Sequence, residues 1–298
     1  MKNIIIFLII AVMSLPAASR LERKAVLPPA YIDGANIAWA STTTITIGTT
    51  GEVSKVKDSQ DRIDMIFTNT ITVNCQTQVT NGFHTNSGLL NGLGLGITFT
   101  SNTLYYVYLC GRRGKPYSNT FYGLVTTNAT APEFPTNSAG NEVLDSYRKI
   151  GSYLTYSTNG TGNVMVIPFV ANGKGRTRDV SLSYPPLLLG NSAALAGTNI
   201  TFSSASLITR VPDTAGEVTF HANFTGATNT DIAYLASSDI IGTTSALQIG
   251  TERTGTATGG APNILPISVA IKGQAVSHRV TVAPNALLLY VIGWKENL

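Results

Sequence analysis

The chain has 298 residues, of which 43% are hydrophobic and only 12% are charged, and its net charge is +4. This apolar content is sufficient for a packed core and argues against an intrinsically disordered chain, and the length leaves room for two β domains of ordinary size. Part of the positive charge lies close to the N-terminus, so the remaining chain is nearly neutral, lacks the basic stripe typical of nucleic-acid-binding proteins, and is expected to have no nucleic-acid partner.

Residues 1–19 have the layout of a secretory signal peptide. Lys2 supplies a positive flank, residues 4–15 form an apolar run without charge, and small residues follow at 17–19. Signal peptides have apolar regions of ~7–15 residues, whereas a membrane-spanning helix needs ~20. We interpret residues 1–19 as a cleaved signal peptide, with a short membrane anchor as the alternative, and residues 20–30 as a linker.

Strand patterns begin at Tyr31, and residues 31–183 are predicted to form an N-terminal β domain. Alternation of branched and polar residues is typical of half-buried strands. The run 104–109, LYYVYL, is the strongest single strand signal. Strands are predicted at 42–48, 64–73, 104–109, 121–126, 149–155 and 163–169, and one helical turn is predicted near 141–148.

A domain boundary is predicted near residue 183, because the glycine-rich basic stretch 171–179 precedes the pair Pro185 and Pro186. Strands are then predicted at 199–202, 215–224, 232–235, 245–249, 267–271, 277–282 and 287–294. Their spacing, with turn residues between them, indicates a β-sandwich over residues 184–298. The predicted fold class is therefore all-β, with two antiparallel β-sandwich domains of jelly-roll-like type. Long exposed sheet edges promote aggregation unless other chains or segments cover them. We therefore expect a homo-oligomer, with a trimer as the preferred form.

The chain contains two cysteines, Cys75 and Cys110. In an exported protein they could form one disulfide that closes a long loop. The alternative is that both are buried thiols in neighbouring strands. The sequence leaves both interpretations open.

No set of side chains has the spacing of a known metal or catalytic motif. The histidines His84, His221 and His278 are far apart, without partners at metal-ligand spacing, and there is no G-x-S-x-G elbow. Asp58, Asp61 and Asp64 could bind Ca²⁺, but the glycine and terminal glutamate of such a loop are missing, so we interpret them as a solvated loop. We expect no catalytic residue, no cofactor and no metal.

A basic turn follows the strand 104–109. It contains Arg112, Arg113 and Lys115, with Tyr117 close by. Positive charge beside an aromatic ring could bind an acidic polysaccharide. A charged hairpin tip is the alternative.

Several segments together resemble a domain of phage virion-surface proteins, which include tail fibres, head fibres and spikes. They read YIDGANIAW (31–39), TTTITIGTTGEVSKVKDSQDRI (42–63), NTLYYVYL (102–109), TFYGLVTTNATAPEFPT (120–136) and DSYRKIGSYLTYSTNGTGNVMVIPF (145–169). In that domain a "dG…lsw" opening precedes an acidic "D-s-x-x-D-I" segment, a "Wy-vyl" strand and a "y-rrIGs" strand. Residues 208–224, 233–240 and 287–298 resemble the companion sandwich.

The resemblance implies a structural, non-enzymatic virion-surface protein that assembles with other virion proteins and attaches to the host, where surface polysaccharide is one candidate partner. It supplies no active-site residues. Two departures stand out: Tyr105 occupies a position where Trp is common, and the export-like residues 1–19 are unusual in the family. A membrane-associated virion would reconcile the virion-surface resemblance with the export-like residues 1–19. The alternatives are a shell building block of a membrane-containing phage, and an exported protein that binds or depolymerises envelope polysaccharide.

Overall fold

The computed structural model describes residues 27–61, 63–79, 91–111, 121–134, 144–157, 163–172, 177–180, 203–225, 232–237, 253–254, 265–280 and 286–298. Within these residues the structure contains no helix, and the all-β class that the sequence predicts is confirmed. The strands form sheets of three, eight, five and four strands.

The first part of the described chain, up to residue 166, supplies two of these sheets. Its strands are β1 (Ile32–Asp33), β2 (Ile37–Trp39), β3 (Thr44–Ile47), β4 (Ser54–Lys57), β5 (Asp64–Phe67), β6 (Ile71–Gln78), β7 (Gly92–Leu93), β8 (Leu104–Gly111), β9 (Tyr122–Thr126), β10 (Ser146–Ser157) and β11 (Val164–Val166). The three-stranded sheet has the order β1-β4-β5, and the eight-stranded sheet has the order β11-β10-β8-β9-β7-β6-β3-β2.

The eight-stranded sheet curls until it nearly closes into a barrel. Its edge strand β11 reaches the loop before β3, where the Val166 amide donates to the Thr42 carbonyl at 2.7 Å. The Gln76 side chain also donates to the Val164 carbonyl at 3.3 Å. The enclosed core contains aliphatic and aromatic side chains from all around the sheet, and Val56 and Met65 of the three-stranded sheet pack against it.

Strand β8 is buried along its whole length. Tyr105, Val107 and Leu109 point into the barrel core. Leu104, Tyr106 and Tyr108 belong to a second core on the other face. A strand buried on both faces is expected to read as a continuous apolar run, which explains LYYVYL at 104–109.

The rest of the described chain forms the other two sheets. Its strands are β12 (Phe169–Asn172), β13 (Thr177–Val180), β14 (Ser203–Ser206), β15 (Ala215–Thr225), β16 (Ile232–Ser237), β17 (Arg253–Thr254), β18 (Leu265–Ala270), β19 (Ala275–Val280) and β20 (Ala286–Glu296). The sheet orders are β12-β13-β20-β15-β18 and β14-β19-β16-β17. Val218, Phe220 and Leu289 pack into the same core as Tyr106 and Tyr108, so this core extends across both halves of the chain.

Three of the predicted elements differ from the structure. The single strand predicted at 64–73 is two strands, because β5 pairs with β4 and β6 pairs with β3, which lies in another sheet. The strand predicted at 163–169 is also divided, between β11 and β12, at Pro168, which has no amide hydrogen for a ladder. Residues 146–148 of the predicted helical turn belong to β10. The predicted strands 199–202 and 245–249, like residues 1–19, lie outside the described residues.

Sheet membership changes before the predicted boundary near residue 183, which itself lies outside the described residues. Strands β12 and β13 precede that boundary, yet β13 pairs with β20, with Arg178 opposite Trp294. The change from one set of sheets to the other therefore occurs between Val166 and Phe169.

Candidate functional site

A cleft of about 320 Å³ lies where the two halves of the chain meet. Strand β10, the end of β8 and two turns line one side, and residues next to β15 and β20 line the other. The polar and aromatic residues that line it are Ser59, Tyr108, Thr130, Tyr147, Arg148, Lys149, Thr214 and Asn297. Junctions of this kind are common locations for ligand sites.

A β-bulge in β10 determines which side chains face this cleft. Lys149 lies opposite Tyr108 of β8 and Gly151 lies opposite Val107, so Ile150 is the extra residue. The bulge shifts the alternation by one residue. Lys149, before it, and Ser152, after it, consequently both contact groups of the C-terminal half, whereas strict alternation would place them on opposite faces.

Lys149 is held by three neighbours. Its ammonium group donates to the Ala129 carbonyl at 3.1 Å and to Asp213 Oδ1 at 2.9 Å, and it lies 5.0 Å from the centre of the Tyr106 ring. Burial, and next the charge of Asp213, raise the pKa of Tyr106 to about 12. The cation is thus neutralised by a carboxylate of the C-terminal half. Ser152 adds a second link by donating to Glu296.

Arg148 lies close to Asp58 and Asp61. Its guanidinium donates to the Ala30 carbonyl at 3.5 Å, the limit of hydrogen-bonding distance. Burial lowers its pKa, and the charges of Asp61 and Asp58 act in the opposite direction. The positive charge of Arg148 is therefore also balanced by nearby carboxylates.

Aromatic rings form the wall of the cleft on the β10 side. The Tyr147 ring meets Tyr108 edge-on at 5.8 Å and Phe134 edge-on at 5.6 Å. Tyr108 is fixed because its hydroxyl donates to the Asn128 carbonyl at 3.0 Å, and burial raises its pKa. Ring packing and this hydrogen bond therefore fix the position of the wall, with Tyr147 as its half-buried surface residue.

Thr214 and Asn297 close the opposite side. The Asn297 amide donates to the Thr214 carbonyl at 2.8 Å, which fixes the two segments together. The Thr214 hydroxyl oxygen is buried and has no hydrogen-bond partner among the residues that the structure describes. A buried hydroxyl without a partner is unfavourable, so this position favours a bound group that can form a hydrogen bond.

The prediction that Asp58, Asp61 and Asp64 form a solvated loop is wrong for Asp58 and Asp64. Asp58 is fully buried, and its Oδ1 accepts the Ile63 amide at 3.0 Å, which closes the turn. Asp64 forms an ion pair with Lys57 at 2.8 Å, with both side chains largely buried. Only Asp61 is exposed, and it accepts the Ala30 amide at 3.1 Å. In the described part of the chain, no three His, Cys, Asp or Glu side chains form a group that could hold a metal ion.

Cys75 and Cys110 do not form a disulfide in this structure. Both are free and buried, and they belong to different cores on opposite faces of the eight-stranded sheet. Strands β9 and β7 separate β8 from β6, so the strands that carry the cysteines are not neighbours. Burial raises the pKa of Cys75 to about 12 and raises that of Cys110, so both thiols are unreactive at neutral pH.

The predicted basic turn, with Arg112, Arg113, Lys115 and Tyr117, lies outside the described residues, as does His84. His221 is in β15 and His278 is buried in β19. Among the described residues, no helix has the length and apolar character needed to cross a membrane.

Comparison of the chain with protein-family models, curated proteins and solved structures finds no match.

Sequence reasoning missed the cleft. Tyr147, Arg148 and Lys149 were present in the segment 145–169, but nothing in their spacing indicated a site. Gly151, a glycine inside strand β10, is a weak signal of a bulge. Thr214 and Asn297 gave no signal, since they are far from β10 in sequence and meet it only in the folded chain.

Proposed function

We propose that this protein is a structural, non-enzymatic virion-surface protein of a bacterial virus, of the spike or fibre type, which contributes to assembly and host attachment. On this proposal the protein lies at the virion surface next to other virion proteins. It forms a homo-oligomer there, with a trimer as the preferred form. Residues 1–19 would provide export or contact with a membrane. The finer fold assignment, two jelly-roll-like β-sandwich domains, belongs to the same proposal.

The observation that carries this proposal is that three segments of the resemblance meet in one hydrogen-bonded unit. The Lys57 amide donates to the Tyr31 carbonyl at 2.8 Å, and the Ser59 amide donates to the Tyr147 carbonyl at 2.7 Å. The opening "dG" segment, the acidic segment and the "y-rrIGs" strand therefore support one another. Such mutual contact is expected if the shared pattern encodes a structural module.

Tyr105 also fits this interpretation, although it replaces the usual Trp. Its ring stacks on Tyr153 at 5.7 Å, and its hydroxyl donates to the Thr98 carbonyl at 2.8 Å. A large aromatic with a polar group that reaches a partner is what this buried position requires. The departure therefore conserves the packing role.

The copy number of the protein in purified particles tests the proposal. Quantitative mass spectrometry should find a few tens of copies, and antibodies against the full chain should label intact particles from outside. Hundreds of copies would instead support the shell building block, and absence from particles would refute both.

An adsorption assay tests attachment separately. Purified full chain, added in excess, should reduce adsorption of particles to host cells. Incubation with host polysaccharide should release no sugar ends, whereas release would favour the depolymerase alternative.

A further inference from the structure

We propose that the cleft between the two halves binds a neutral sugar unit. This inference rests on the proposed attachment function and specifies the ligand and the residues that would contact it.

The cations beside the cleft are already paired with carboxylates of the protein. The ammonium group of Lys149 is paired with Asp213 at 2.9 Å, and Arg148 faces the charges of Asp61 and Asp58. A phosphate or an acidic sugar would have to displace one of these carboxylates before it could use either cation. A neutral ligand can accept hydrogen bonds from the same groups without breaking the pairs.

The Thr214 hydroxyl is free to form a hydrogen bond with a ligand. It is buried and has no partner among the described residues, and Thr214 is part of the cleft wall. A hydroxyl both donates and accepts, so a polyhydroxylated ligand can satisfy it in either direction. Ser59 and Asn297 add further hydrogen-bonding groups at the cleft surface.

The aromatic wall and the volume of the cleft suit a sugar ring. The half-buried Tyr147 ring gives one side of the cleft an aromatic surface, backed by Tyr108 and Phe134. The C–H faces of a sugar ring can pack on such a surface while its hydroxyls reach the polar groups. The volume of about 320 Å³ lies at the lower end of the ~300–1,000 Å³ typical of small-molecule sites, which suits one or two sugar units.

Saturation-transfer NMR on the full chain tests the proposal with glucose, galactose, N-acetylglucosamine and rhamnose as neutral probes. Glucuronate and inorganic phosphate serve as charged probes. We expect at least one neutral sugar to bind at millimolar concentration, and neither charged probe to compete with it. Signals from the charged probes alone, or from none of the probes, would overturn the proposal.

The Thr214→Val variant tests whether the sugar binds in the cleft. The substitution keeps the side-chain shape and replaces a buried unpaired hydroxyl, so it should not destabilise the fold. It should weaken sugar binding about three- to tenfold, the loss expected for one neutral hydrogen bond. Thr72→Val, at an exposed threonine of β6, is the matched control and should leave affinity unchanged. Equal affinity of Thr214→Val and the parent chain would refute the cleft assignment.

The two proposals fail in different ways. If the purified chain blocks adsorption but no sugar binds, the attachment function stands and the cleft inference is refuted. If a sugar binds and Thr214→Val weakens it, while particles lack the protein, the cleft inference stands and the virion function is refuted.

Discussion

Gly34 shows how one residue of the resemblance segment acts at the atomic scale. Its φ is +71°, and a Cβ at this position would lie 2.8 Å from the Val53 carbonyl oxygen. Gly51 also has a positive φ, +87°, but a Cβ there would meet nothing within 4 Å. A substitution at Gly51 therefore tests backbone strain alone, whereas a substitution at Gly34 tests backbone strain together with a steric clash.

We expect Gly51→Ala to lower the free energy of unfolding by about 1–2 kcal/mol, the cost of a left-handed conformation for alanine. Gly34→Ala should cost at least ~1 kcal/mol more, because the backbone of the neighbouring strand must also shift. Urea unfolding of both variants measures the difference. Equal losses would contradict the steric argument.

His278 should make stability depend on pH. Burial lowers its pKa below the ordinary value of 6.5, so the folded chain holds this side chain neutral while the unfolded chain takes up a proton. The unfolded state therefore binds more protons below about pH 6.5, and stability falls as the pH decreases through this range.

We expect the thermal midpoint of the parent chain to fall between pH 7.5 and pH 5, and His278→Gln to reduce that fall. Calorimetry of the two proteins in the same buffers gives the comparison, with pH 7.5 as the internal reference. Parallel pH profiles would show that the decrease has another origin.

At the scale of elements, two ion pairs allow a comparison of environments. Lys57 and Asp64 join adjacent strands β4 and β5, and their side chains are 6% and 14% exposed. Lys149 and Asp213 join the two halves, and their side chains are 17% and 44% exposed. Solvent screens the second pair more strongly, so its contribution to stability should be at the low end for ion pairs.

Double-mutant cycles with Lys→Met and Asp→Asn changes measure both couplings. We expect a coupling of about 0.2–1 kcal/mol for Lys149 and Asp213, decreasing with added salt. The Lys57 and Asp64 coupling should be larger and less sensitive to salt. A reversed order would mean that exposure does not determine the strength of these pairs.

The elements also show what the sequence can and cannot predict. Alternation and the LYYVYL run identified β3, β8, β9 and β15, because their side-chain patterns reflect the faces that they bury. The division of 64–73 into β5 and β6 was missed, since the apolar alternation continues while the chain passes from one sheet to another. The bulge at Ile150 was missed for a similar reason, because it depends on the partner strand.

At the scale of the molecule, the cleft depends on contacts between residues that are far apart in sequence. Tyr147 and Thr214 carry no local signal that they share a surface, and the Asn297 to Thr214 hydrogen bond exists only after β15 and β20 have paired. The all-β class was predictable from composition and spacing. The position of the cleft was not, because it follows from how the sheets pack.

The same packing predicts that the described halves unfold together. One core contains Tyr106 and Tyr108 of β8 with Phe220 and Leu289 of the C-terminal strands, so each half would expose part of its buried surface without the other. The links from Ser152 to Glu296 and from Arg210 to the Asn102 carbonyl, the latter at 3.0 Å, add to this coupling. Two-state unfolding requires that different probes report the same midpoint.

The chain contains two tryptophans, one in each half, and these provide the test. In Trp39→Phe, fluorescence reports only on Trp294, which is buried in β20; in Trp294→Phe, it reports only on Trp39 in β2. Within each variant, we expect the fluorescence midpoint in urea to coincide with the midpoint from far-UV circular dichroism, which follows all strands. Comparison within one variant removes any effect of the substitution on overall stability. If Trp294 reported an earlier transition than circular dichroism, the C-terminal sheets would unfold independently, and the shared core could not be the contact that holds the cleft together.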